Sequence, residues 1–263
     1  MKLISSLNDY ISAVNEINEE WYGFSATIHP WYRGQCNAQW NLIPKIYRSS
    51  IENFERELIR DFKLKSAPFL DIMPNDDFEW LFVMQHYGIP TRLLDWTESY
   101  LVALYFAVLD FKIAHHCCVW MIDPWSLNIR SINQRSIPIS NHPELAKYIL
   151  NDDPKYFSRE LPDEANFPVA IRPRRTTKRI IAQKGTFTIQ GKIEAGVNAI
   201  FKKLPDVRIA KIIINGSKKR NILKELFLAG ISHSVIFPDL EGICNEISFR
   251  YSNDYIEWVP DKF

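Results

Sequence analysis

The chain contains 263 residues, of which 46% are hydrophobic, 24% charged and 13% aromatic. This length and composition fit one or two globular domains and exclude a disordered, collagen-like or low-complexity chain. The uninterrupted apolar run at residues 101–109 is far shorter than the roughly 20 residues that span a bilayer. Since the N-terminus also lacks an apolar block of signal-peptide length, we expect a cytoplasmic protein.

Apolar residues at helical spacing predict three helices in the first third of the chain. Asn8 is a suitable N-cap for the first helix, and the second is predicted over residues 51–65. Asn75 or Asp76 can cap the third helix. This helix should end before Gly88, because glycine and a proline that follows it stop a helix.

A longer apolar helix is predicted after a loop. Residues 91–94 are predicted to form that loop, and Asp95 and Glu98 have the spacing of a capping box. In this motif the first side chain accepts a hydrogen bond from the start of the helix, so a strongly apolar helix is predicted over residues 96–112. The pattern therefore gives Asp95 a structural role as helix cap.

The second half of the chain mixes strand and helix patterns. Strands are predicted over residues 117–122, 187–189, 208–215 and 234–237. Ser217 can cap a helix that runs to residue 229, and Asp239 can open a last one. Together these elements predict a single α+β domain over residues 1–263, with helices concentrated in the N-terminal half around a mixed or antiparallel sheet.

Metal-binding and common catalytic motifs are not present. The four cysteines lack the spacing of a secreted disulfide scaffold. The cluster from His115 to Cys118 cannot face one metal ion, because adjacent residues on a strand point to opposite faces, and no metal site is predicted. No P-loop, Rossmann, zincin or α/β-hydrolase signature occurs, which disfavours those enzyme classes.

A net charge of +1 conceals a strong asymmetry along the chain. Residues 172–224 contain fifteen Lys and Arg against two acids, and acid-rich stretches lie at 52–79 and 152–164. Such a basic segment is typical of binding to nucleic acid or another polyanion. An equally weighted alternative is that these charges only solvate loops, or that they attract the acidic part of the same fold. The residues predicted to contact nucleic acid are Arg174, Arg175, Lys178 and Arg179.

Residues 32–35, which read Tyr-Arg-Gly-Gln, form the first candidate binding motif. They lie in a segment predicted to be extended over residues 29–35. Here Arg33 stands next to a glycine that lets a backbone or ligand come close. A guanidinium can bind phosphate or carboxylate through two parallel hydrogen bonds. An arginine paired with an internal carboxylate would have the same pattern.

The densest group of polar and aromatic residues lies at 85–97. His86 can titrate near neutral pH, and Thr91 offers a hydroxyl. Arg92 offers an anion clamp and Asp95 a carboxylate. The alternative is structural, with Asp95 as a helix cap and Arg92 as its ion-pair partner.

Six blocks taken together resemble the FRG domain family, which is named for an aromatic-Arg-Gly motif. They lie at residues 32–35, 40–44, 85–97, 103–107, 183–188 and 237–242. The blocks span residues 32 to 242, so the resemblance covers nearly the whole chain. The family occurs in bacterial and phage proteins. It implies little about activity, since it is largely described as a domain of unknown function.

A more distant resemblance, to ADP-ribosyltransferases, implies a chemistry. In chain order those enzymes have an arginine or histidine, a hydroxyl residue and a late glutamate, and here Arg33, Thr91 and Gln183 follow that order. The resemblance implies that Arg33 holds NAD, that Thr91 positions it, and that a late acid stabilises the transition state. Because Gln183 carries no charge, the resemblance leaves open whether the chain is an enzyme.

The resulting hypothesis is a nucleotide-binding cleft in an ADP-ribosyltransferase-like defence or toxin effector that uses NAD and has no membrane partner. The catalytic candidates are Arg33, Thr91 and Gln183, and the ligand-binding candidates are Tyr32, Gly34, Gln35, His86, Arg92 and Asp95. The alternative hypothesis is a non-enzymatic module that binds nucleic acid or another polyanion through residues 172–224.

Overall fold

An antiparallel sheet organises the chain. The structure is a computed structural model that describes residues 3–23, 25, 28–150, 161–175, 177–201 and 204–251. Within these residues six strands form one sheet in the order β4-β5-β2-β1-β3-β6, with every neighbouring pair antiparallel. The strands are β1 (Trp31–Gln35), β2 (Leu93–Thr97), β3 (Cys117–Ile122), β4 (Val169–Ile171), β5 (Gly185–Ile189) and β6 (Ile209–Ile214). The predicted α+β class is confirmed.

Helices cover both faces of this sheet. They are α1 (Leu7–Tyr22), α2 (Glu55–Ser66), α3 (Asp77–His86), α4 (Tyr100–Val108), α5 (Pro124–Ile132), α6 (Lys178–Ala182), α7 (Val197–Phe201), α8 (Lys219–Leu228), α9 (His233–Ile236) and α10 (Leu240–Arg250). Of the helices in the described ranges, none has both the length and the apolar character needed to cross a membrane.

The helix caps show where the local sequence was sufficient to predict the start of a helix. Asp76 caps α3 by accepting from the main-chain N–H of Glu79, and Asp239 caps α10 in the same way, as predicted. The prediction for the first helix is wrong, because Ser6 rather than Asn8 caps α1. Each of these caps satisfies a main-chain N–H that has no partner within its own helix.

The prediction around Asp95 is also wrong. Residues 93–97 form β2 in the middle of the sheet rather than a loop and a helix cap. The cap of the apolar helix is Ser99, whose hydroxyl accepts from the N–H of Val102, and α4 is accordingly shorter than predicted. Asp95 therefore has no capping role, and its side chain is half exposed at 52%.

Two predictions near the C-terminal end also need correction. Residues 234–237 were predicted as a strand, but the short helix α9 covers most of them. Ser217 was predicted to cap a helix, but it lies in a 3₁₀ turn that Asn215 caps, and α8 begins two residues later at Lys219.

The core lies on both faces of the sheet, because alternate residues of β3 belong to two different hydrophobic clusters. Cys117 and Val119 pack in one cluster with α1, α4 and α8, while Cys118 and Trp120 pack in another with α5 and α7. The two neighbouring cysteines thus face opposite sides of the sheet, as the period of two in a strand requires.

Gly34 allows α4 to approach β1 closely. A Cβ atom at this position would meet the main-chain oxygen of Ala103 and would lie 2.6 Å from the main-chain nitrogen of Ala107. Both atoms belong to the helix backbone, which cannot rotate away as a side chain can. Only glycine therefore permits the observed packing of β1 on α4.

We predict that Gly34→Ala lowers the free energy of unfolding by about 1–3 kcal/mol, because the added methyl group forces strand and helix apart. Urea denaturation measures the change. Gly185→Ala is the matched control on β5, where the nearest atom to a new Cβ is 3.8 Å away. Equal stability of the two variants would contradict the close approach at Gly34.

Candidate functional site

A cavity of about 700 Å³ opens beside β1 and β2. The two strands pair at Tyr32 and Thr97, whereas β1 pairs with β3 along its whole length. The gap between β1 and β2 beyond that pair is part of the cavity. Six residues predicted to be catalytic or ligand-binding line it: Tyr32, Arg33, Gly34, Gln35, Asp95 and Gln183. Arg179, which was predicted to contact nucleic acid, lines it as well.

The charges of the cavity are mainly positive. Its lining includes three guanidinium groups, those of Arg33, Arg48 and Arg179, and one carboxylate, that of Asp95. Trp40 adds an indole ring that is 53% exposed. The lining therefore favours an anion beside a flat apolar group.

Arg33 bridges the gap between the two strands. Its Nη1 donates a hydrogen bond to the main-chain oxygen of Asp95 at 2.6 Å and lies 3.5 Å from Oδ2 of the same residue. Burial lowers the pKa of Arg33, the charge of Asp95 counteracts this shift, and the nearby Arg48 adds to it. The buried Nε has no hydrogen-bond partner among the described residues. A second anion in the cavity would therefore stabilise this guanidinium.

A chain of hydrogen bonds holds the Asp95 carboxylate. Gln85, in the last turn of α3, donates through Nε2 to Oδ2 of Asp95 at 2.9 Å. The hydroxyl of Thr91 donates to Oε1 of the same glutamine at 2.7 Å and accepts from the N–H of Leu93. Thr91 is fully buried and acts on the cavity through Gln85 rather than lining it.

Gln183 lines the cavity, but its side-chain amide N–H is already hydrogen-bonded within the protein. Its side-chain Nε2 donates to the main-chain oxygen of Ile236 at 3.2 Å, and its own main-chain oxygen accepts from the Thr97 hydroxyl at 2.6 Å. These bonds fasten α9 and the end of α6 to β2. The amide is thus already engaged where the resemblance implies a catalytic acid.

Arg92 lies outside the cavity, and its predicted pairing with Asp95 is wrong. The side chain is 4% exposed and forms an ion pair with Glu55 at 2.5 Å. Its two terminal nitrogens donate to the main-chain oxygens of Gln190 and Tyr148. All three contacts are internal, because the guanidinium points to the junction of α2 and β5 rather than to solvent. These contacts give Arg92 a structural role, and its ligand binding stays a prediction.

His86 also lies outside the main cavity. It lines a separate cavity of about 190 Å³ with Tyr87 and Arg174. Burial lowers the pKa of His86, the charge of Arg179 lowers it further, and Asp239 partly counteracts both. This shift favours the neutral imidazole.

Acidic residues of the first half neutralise part of the basic segment. Glu98 binds Arg172 and Arg175 at 2.9 and 3.1 Å, and Glu79 lies 3.4 Å from Arg174. These ion pairs match the alternative in which the two halves attract each other. Two of its lysines, Lys202 and Lys203, lie outside the described residues, as do residues 152–160 of the acid-rich stretch 152–164. Nucleic-acid binding by the segment stays a prediction.

Three residues of the site were not predicted: Arg48, Trp40 and Gln85. Arg48 is the last residue of a 3₁₀ turn and donates through Nε to the main-chain oxygen of Ile43. Trp40 and Gln85 stand in the blocks that carry the family resemblance, so that signal could have identified them. Arg48 has no local signal, because it reaches the cavity only through the folding of the loop after β1.

We predict that Arg92→Ala lowers the free energy of unfolding by about 3–5 kcal/mol, since it leaves Glu55 as an unpaired buried charge. Arg60→Ala removes an exposed arginine 4.0 Å from Asp61 and serves as the control, with an expected change below about 0.5 kcal/mol. Thermal and urea unfolding measure both variants. An Arg92 variant as stable as wild type would show that this ion pair is dispensable.

One protein-family model matches part of the chain. Residues 29–114 match the model of the FRG domain. This stretch contains Arg33, Arg48, Gln85 and Asp95 but ends before Arg179, so it carries one side of the cavity. The resemblance to the FRG domain is confirmed over these residues. Neither the curated proteins nor the solved structures contain a match to this chain.

Proposed function

We propose, starting from the FRG domain match at residues 29–114, that the Arg33 cavity binds a nucleotide through its phosphates. The observation that carries this proposal is the convergence of Arg33, Arg48 and Arg179 on one cavity that also presents Trp40. The volume of about 700 Å³ lies within the range of about 300–1,000 Å³ that is usual for ligand pockets.

The arginines are held in place before any ligand binds. Arg33 is fixed by the main-chain oxygen of Asp95 and Arg48 by that of Ile43. The guanidinium of Arg179 lies 4.7 Å from the ring centroid of Phe237. Such groups lose little freedom on binding, and a planar guanidinium matches the oxygens of a phosphate with two parallel hydrogen bonds.

The neighbouring indole supplies a surface for a base. Trp40 is 53% exposed although it borders the cavity, and stacking of a base on an aromatic ring contributes about 1–3 kcal/mol. Gln35 stands nearby and is fixed by Asn41 and Trp120. A phosphate-binding part and a stacking part thus share one cavity, as a nucleotide requires.

We propose that the nucleotide is NAD. The proposed activity is ADP-ribosyl transfer, with this protein acting as a defence or toxin effector. Support comes from Arg33 and Gln183, which stand far apart in sequence and line the same cavity. Thr91 would contribute indirectly, by orienting Gln85. The two phosphates of NAD would occupy the arginine side, and its flat bases offer a partner for Trp40.

We predict that Arg33→Lys weakens the binding of NAD and of ADP-ribose at least about tenfold, or roughly 1.4 kcal/mol, because an ammonium cannot form the bidentate contact. Isothermal titration calorimetry measures the affinity, and urea unfolding checks that the variant is folded. Arg60→Lys is the matched control, since its side chain is 60% exposed and lies outside the cavity.

Two results would contradict this function. One is an affinity of folded Arg33→Lys equal to that of wild type. The other is a wild-type protein that binds duplex DNA or RNA with a steep dependence on salt and does not bind NAD, which would favour the basic segment.

A further inference from the structure

We propose that Asp95 is the catalytic carboxylate of this cavity and promotes cleavage of the N-glycosidic bond of a nucleotide with a cationic base. This inference rests on the proposed function and names the residue that promotes the cleavage step at the same site. It begins from the position of Asp95, which belongs to an interior strand and yet has a side chain that is 52% exposed.

Neither core packing nor a helix cap explains this carboxylate. Its neighbours Leu94 and Trp96 are buried in the core, and the helix that follows is capped by Ser99. Aspartate is disfavoured in strands. The helix-capping role that the sequence pattern predicted for Asp95 is also absent. An acid at a position that local structure disfavours is typical of a functional site.

The contacts orient one carboxylate oxygen and leave the other for a ligand. Oδ2 accepts from Gln85 at 2.9 Å and lies 3.5 Å from Nη1 of Arg33. Among the described residues, none donates a hydrogen bond to Oδ1. Because Thr91 in turn fixes Gln85, the carboxylate is held from the side of α3, and Asp95 lines the cavity.

Such a carboxylate suits a reaction in which positive charge develops on a sugar. The bond between C1′ of the ribose and the base nitrogen breaks, and its electron pair passes to the base, which leaves as a neutral molecule. The transition state resembles an oxocarbenium ion, and a fixed carboxylate stabilises it electrostatically. Water then forms the new bond to C1′ and gives its proton to Asp95, which passes it to solvent.

Other acids and amides near the cavity fit this role less well. Gln183 is neutral, and its amide is bound to Ile236. Glu98 is bound by Arg172 and Arg175 and does not line the cavity. Asp95 is the one carboxylate in the lining of this cavity within the described residues.

The test is the release of nicotinamide from NAD, measured by chromatography together with NAD affinity by calorimetry. We expect Asp95→Asn to lower kcat about 100-fold or more, because the amide is nearly isosteric but uncharged. The Kd for NAD should change less than threefold. Asp206→Asn, at an exposed position, is the matched control and should release nicotinamide at the wild-type rate.

A second variant covers the case in which Asp95→Asn does not fold. Gln85→Leu removes the amide that orients Oδ2 and should lower kcat about tenfold, because the carboxylate remains but is no longer held. Asp95 is then a catalytic residue and Gln85 a positioning residue. The split between kcat and KM distinguishes this loss from a general loss of structure.

The outcomes separate this inference from the proposed function. Wild-type turnover by folded Asp95→Asn, or by folded Gln85→Leu where the first variant does not fold, would overturn the role of Asp95. A wild-type protein that binds NAD without releasing nicotinamide would also overturn it and leave nucleotide binding intact. A wild-type protein that binds neither NAD nor ADP-ribose would overturn the proposed function itself.

Discussion

The separation of β1 from β2 is the feature on which the site depends. The strands pair at Tyr32 and Thr97 and then diverge, although each remains paired with its other neighbour. This divergence leaves the main-chain oxygen of Asp95 free of β1, and the guanidinium of Arg33 binds it at 2.6 Å. Arg33 thus gives a partner to a main-chain oxygen that β1 does not bind, and at the same time it presents its charge to the cavity.

The motif at residues 32–34 gains a physical meaning from this arrangement. Tyr32 is buried and packs against Tyr100, which anchors the strand at its pair with β2. Arg33 spans the gap between β1 and β2. Gly34 lets the backbone of α4 pack closely against β1. The aromatic, the arginine and the glycine thus perform three different tasks in consecutive positions, one in the core, one at the cavity and one in helix packing.

Local patterns predicted the elements whose cause is local. Asp76 and Asp239 were found because a cap acts within four residues of its own helix. Asp95 was misread because the capping-box spacing also occurs in a strand, and pairing of β2 with β5, about ninety residues later in the chain, overrides the local preference. Arg48 and Arg179 could not be assigned to the site from sequence, since only the tertiary fold brings them to Arg33.

The most direct test of the account is to observe the cavity residues while a nucleotide binds. ¹⁵N NMR of the protein titrated with ADP-ribose would follow the Nε–H of Arg33 and the indole N–H of Trp40, each assigned by substitution. The account predicts saturable shifts of both signals at the same ligand concentration, because one ligand contacts both residues. Shifts confined to the exposed basic residues Arg174, Arg175 and Lys178, or the absence of any saturable shift, would contradict it.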